Sequence, residues 1–188
     1  MSKKQHEQFG FTLLEVLVAL IILAIGLLGL ASFQAIGLRS NHSAQLRTQA
    51  TILSYDIMDR MRANIRGVRN SHYDNATASN GNCDNFGSGT LPNCDTQDMA
   101  AHDLFAWNTA LANALASGTG VVCIDSTPED GTPTSPACDG ALNGASTATA
   151  QYAVKIFWCD GEDPDDDGIP CEADEFQRFT TSFRPATL

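Results

Sequence analysis

One stretch near the start, GFTLLEVLVALIILAIGLLGLA from Gly10 to Ala31, limits the possible folds of this chain more than any other. Beyond Phe11 only Thr12 and Glu15 interrupt the apolar run, whose length is close to the ~20 residues that span a bilayer. An ionised carboxylate inside such a run costs several kcal/mol unless it finds a partner. The segment therefore needs a membrane, and Glu15 needs a counter-charge.

A cleavable secretory signal is the ordinary alternative, since Lys3 and Lys4 precede the run. The run is longer than a typical signal core, and an acidic residue at its start is out of place there. Basic residues do not orient the segment: Lys3 and Lys4 on one flank balance Arg39 and Arg47 on the other. The cysteines do. All six lie beyond the apolar run, with no CxxC and only scattered histidines, which argues against zinc and for disulfides in an oxidising compartment. Of fifteen connectivities, pairing between sequence neighbours is expected: Cys83–Cys94, Cys123–Cys138 and Cys159–Cys171. Each closes a short loop, worth about 2–3 kcal/mol by chain entropy.

The helix should continue past the membrane. No proline occurs before Pro92, and Leu46, Ala50, Leu53, Ile57, Met61 and Ile65 recur at helical steps. Gly67 is the expected stop. One helix over 11–66 would run roughly 80 Å, apolar all round at first and then with a single apolar stripe. Residues 68–97 read as a stapled loop. A second helix is expected over 98–117, with Asp98 as cap, Gly118 as terminator, and Leu104, Trp107, Leu111 and Leu115 on its core face. The period then falls to two in VVCID (121–125), QYAVKIFWC (151–159) and FQRFTTSFR (176–184), with room for a further hidden strand. Helices followed by three strands indicate an α+β fold: a long spine helix packed on a small antiparallel sheet with disulfide-stapled loops.

The order glycine, Phe11, Thr12, Leu13, Leu14, Glu15 and then an apolar helix, behind a basic leader, resembles the processing signal of type IV pilins and pseudopilins. The Trp107 helix, VVC and YAVKIFW look most like the "type IV pilus modification" minor pilins. The resemblance implies a leader at 1–10, a transmembrane stretch at 11–33, an amphipathic periplasmic stretch at 34–66 and a head at 67–188. It also implies cleavage by a prepilin peptidase between Gly10 and Phe11, and methylation of the new Phe11 amine. Glu15 then serves assembly register, pairing with the terminal amine of a neighbouring subunit. Implied partners are the peptidase, other minor pilins, the major pilin and the inner-membrane assembly machinery. The protein would sit in the bacterial inner membrane with its N-terminus cytoplasmic and head periplasmic, and later in a surface fibre serving adhesion or twitching motility.

The net charge of −11 is uneven: +1 over 1–10, +2 over 11–66 and −14 beyond Gly67. Such a head repels phosphate backbones, which argues against nucleic-acid binding. Nine of the sixteen residues from Asp160 to Glu175 are acidic. Asp163, Asp165 and Asp167 stand at alternate positions before Gly168, and Ile169 adds a backbone carbonyl, so Ca²⁺ is a candidate ligand, with Glu172 or Asp174 closing the shell. The DxDxDGxxCE form resembles the extracellular calcium motif called excalibur. Asp174 at the twelfth position, with Pro164 and Pro170, departs from an EF-hand. A solvated acidic loop pinned by Cys159–Cys171 is the competing reading. No organic cofactor is expected. The lack of G-x-S-x-G, HExxH or a phosphate-cradling glycine loop leaves an anchored periplasmic enzyme a remote alternative. A type II secretion pseudopilin is the nearer one.

Overall fold

The computed structural model describes residues 12–79, 83, 94–142, 146, 149–159, 171 and 176–185. It confirms an α+β fold: a long N-terminal apolar helix, a small three-stranded antiparallel sheet, and disulfides. Two compact units divide at Ser43 and Ala44.

The first unit consists of the leading part of helix α1 (Leu13–Ala63). Its Leu, Ile and Val side chains point outward without internal cover. The helix is long and apolar enough to cross a membrane, and this exposure is what an element solvated by lipid requires.

The second unit begins on the same helix. Here Leu46, Ala50, Ser54, Ile57, Met58 and Met61 are buried, at the steps that put one stripe on a core. The expected stop at Gly67 is displaced. Asn64 leaves helical geometry at φ −103°, ψ 50°, and its side chain accepts from the Gly67 N–H, starting the five-residue α2 (Ile65–Arg69). Gly67 lies inside α2, where any Cβ would meet the Asn64 side chain and the Thr96 carbonyl.

Helix α3 (Thr96–Ala114) starts two residues earlier than the expected 98. Asp95 caps it, accepting the N–H groups of Gln97 and Asp98 at 2.8 Å each. Asp98 sits in the first turn, where its charge suits the helix dipole. The helix stops at extended Leu115, before the expected Gly118. Ala100, Leu104, Trp107 and Leu111 form its buried face.

Strands β1 (Thr119–Ile124), β2 (Tyr152–Cys159) and β3 (Phe176–Phe183) pair antiparallel in the order β1-β2-β3. Val122 faces Val154, which faces Thr181. No fourth strand occurs among the described residues. Tyr152, Val154, Ile156 and Trp158 join the helices in one core. Three long-range bonds fix the layers: Trp107 Nε1 donates to the Leu53 carbonyl, Tyr152 Oη to the Val68 carbonyl, and Cys159 N–H to the Ala116 carbonyl, all at 2.8 Å. Gly120 allows close approach to α3, since a Cβ there would enter the Trp107 ring.

The other face of β2 departs from simple alternation. Every β2 residue is buried, including Lys155. The segment after β1 crosses this face: Arg178 donates to the carbonyls of Gly131 and Glu129, and Thr180 donates to the Glu129 carboxylate.

Candidate functional site

At the membrane end of α1, Thr12 precedes the first helical residue. The Glu15 N–H donates to the Thr12 carbonyl at 3.1 Å and reaches its hydroxyl at 3.3 Å. This is the threonine half of a T-x-x-E capping box, in which a threonine satisfies a free N–H of the first turn. Sequence reading assigned Thr12 no role, although the spacing to Glu15 carries that signal. The cap fixes where α1 begins, and so places Glu15 in its first turn. The helix N-terminus carries a partial positive charge that favours a carboxylate there. Among described residues no side-chain partner for Glu15 is seen within the chain. Gly10 and Phe11, on either side of the expected cleavage, lie outside the described residues.

The calcium candidates Asp163, Asp165, Asp167, Ile169, Glu172 and Asp174 likewise lie outside the described residues. Among the described residues no group of three or more metal-ligating side chains comes together. Cys171, beside the acidic run, is bonded to Cys159 at a Cα separation of 5.8 Å. Cys83–Cys94 and Cys123–Cys138 complete the set of sequence-neighbour disulfides, at 5.1 and 6.0 Å, within the range a disulfide spans without backbone distortion.

A groove of about 460 Å³ lies along the head, lined by Arg60, Asn64, Asp95, Thr96, Met99 and Asp103 among others. Its walls are occupied with one another. Tyr73 donates to Asp103 at 2.5 Å, and Arg60 sits 3.6 Å from Asp103 and 2.9 Å from Asp56. Asn64 Nδ2 bonds Tyr73 Oη and the Thr96 carbonyl. Burial, reinforced by the hydrogen bond to Asp103, pushes the Tyr73 phenol far above its ordinary range, so it stays a donor. Burial raises Tyr152 to about 12. These groups hold the junction of α1, α2 and α3 together, with the arginine serving structure.

Lys155, Asp125 and Asp130 form a second polar cluster under the segment that follows β1. Sequence reading did not single them out. The available signal was a lone lysine inside the apolar strand YAVKIFW.

The prokaryotic N-terminal methylation motif matches residues 6–31. No curated protein and no solved structure matches the chain. The matched span contains Gly10, Phe11, Thr12 and Glu15 and ends within the apolar part of α1. An N-terminal apolar helix behind this motif fits anchoring in the inner membrane. The motif implies processing by a prepilin peptidase and points to a structural protein rather than an enzyme. The methylation motif, followed by an apolar helix and an α+β head of the type IV pilin kind, makes the N-terminal part of this chain similar to that of type IV pilins and pseudopilins.

Proposed function

We propose that this chain is a minor pilin, cleaved after Gly10, methylated at Phe11, and built into a type IV pilus or used to prime one. The observation that carries the reading is the methylation motif at 6–31, with Glu15 five residues beyond Gly10. Cleavage ahead of the apolar run leaves that run on the mature protein and creates an α-amine near the membrane. In a fibre, the amine of one subunit meets Glu15 of the next, and each charge offsets the other's desolvation. Removing one partner of such a buried pair costs about 3–5 kcal/mol. Glu15 therefore sets register, because a misaligned subunit leaves its carboxylate alone in hydrocarbon. The Trp107 helix and the YAVKIFW strand favour a pilus over a secretion pseudopilus.

Shearing filaments from cells and probing them for this chain tests the assignment. Wild-type protein is expected in the sheared pili. Glu15→Ala should remain processed and membrane-bound while its level in the pili falls at least tenfold. Normal incorporation of Glu15→Ala would refute the register role, and exclusive recovery with secretion components would favour the pseudopilin.

We also propose Ca²⁺ at the acidic run Asp163–Asp174, supported by the alternating carboxylates and the adjacent Cys159–Cys171 staple. Affinity should fall in the weak extracellular range, Kd about 10⁻⁴–10⁻³ M. Calorimetry on residues 40–188 should record heat with millimolar Ca²⁺. A flat titration, with no thermal shift, would remove calcium from the account.

A further inference from the structure

Lys155 is the one charged residue of β2, and its side chain is wholly buried, as is that of Asp125 just beyond the end of the paired strand β1. The segment carrying Asp125, Asp130 and Pro136 folds over Lys155 and is held at its ends by Cys123–Cys138. Four oxygens converge on Nζ: Asp125 Oδ2 at 2.6 Å, the Pro136 carbonyl at 2.7 Å, Asp130 Oδ1 at 2.8 Å and the Asp130 carbonyl at 3.1 Å. An ammonium has three protons. The Pro136 and Asp130 contacts are aligned hydrogen bonds and use all three. The nearest oxygen, Asp125 Oδ2, is left in contact with nitrogen yet without a hydrogen bond, although fully buried.

Such an arrangement is poor as an ion pair. Charges removed from water seldom gain net stability, and a buried carboxylate oxygen without a donor costs more. It is well disposed for a covalent outcome. We propose that Lys155 and Asp125 condense into an intramolecular isopeptide bond that locks the 125–138 segment onto the sheet.

The reaction needs no outside reagent. Proton transfer within the buried pair gives a neutral amine and a neutral carboxylic acid. The Nζ lone pair then forms a bond to Asp125 Cγ. One Cγ–O bond breaks, and that oxygen leaves as water, carrying the acid proton and one proton from the amine. Asp130 is the relay for the second proton. Its Oδ1 accepts from Nζ at 2.8 Å, while its Oδ2 accepts from Thr127 Oγ1 at 3.0 Å, and that hydroxyl lies 3.5 Å from Asp125 Oδ1. Groups held in contact react at effective concentrations of about 10⁵–10⁸ M, and exclusion of water protects the amide from hydrolysis.

Intact-mass measurement of the full-length chain extracted in detergent tests this, with Asp125→Ala and Asp130→Asn treated identically. The wild type should weigh one water less than its processed sequence requires, counted from Phe11 with one N-methyl group and three disulfides, and Asp125→Ala should lack that deficit. Asp130→Asn should condense roughly 10²-fold more slowly, and condensation at the wild-type rate would overturn the relay. After reduction and digestion, a branched peptide should join the segments containing Asp125 and Lys155. Two results would overturn the bond itself: a wild-type mass that retains the water, or a deficit that fragmentation maps elsewhere, such as a succinimide at Asp130–Gly131. The wild-type reading does not depend on whether either variant folds.

Discussion

Trp107 joins three elements through one side chain. Its ring is fully buried against Gly120 and Leu111, and its Nε1–H reaches the carbonyl of Leu53 on α1. Truncation leaves a cavity and an unused carbonyl, so Trp107→Ala should destabilise the head by about 3–5 kcal/mol. Urea unfolding of residues 44–188 measures this, and a loss under 1 kcal/mol would mean the core closes without the ring. Its core role was legible because its neighbours on α3 repeat at helical steps. Lys155 was not legible. An alternating strand with lysine on its second face reads as half-solvated, and only a non-local segment crossing that face buries it. Thr12 lies between these cases, since its spacing to Glu15 marks a cap whose meaning emerges only once the helix start is known.

At the scale of elements, period carried most of the information. The three strands and two main helices stand where alternation and helical spacing placed them, but their ends moved for local reasons. Asn64, a polar residue that bonds the next turn, stops α1 before Gly67 can. Asp95 outcompetes Asp98 as cap because it stands ahead of the first turn and reaches two free N–H groups. The segment after β1 read as an irregular Pro/Gly/Ser/Thr loop, and its path over the sheet depends on contacts with Lys155, Arg178 and Thr180 that no local pattern encodes. Its staple should matter to stability. Cys123 and Cys138 are separated by 15 residues, so replacing both by serine should cost about 3 kcal/mol. Thermal unfolding of the double variant against wild type tests this, and an unchanged Tm would show that the segment is held without the disulfide.

For the whole molecule, charge and hydropathy divide the labour. The apolar N-terminal stretch of α1 is suited to lipid, while the strongly acidic region beyond Gly67 shares one core with the later part of α1 and carries the disulfides. The proposed cut ahead of α1 would add a full cation to the helix-terminal partial charge that already favours Glu15. The membrane end of the chain was thus the most legible part of the candidate site, since a short ordered motif encodes it. The acidic run was legible as a pattern, but its geometry rests on how carboxylates converge, which spacing alone does not fix. The most direct test is the N-terminal mass of the protein taken from membranes. The account predicts a chain that begins at Phe11 and carries one methyl group on its α-amine. A chain that keeps residues 1–10, or one severed beyond Ala31, would contradict it.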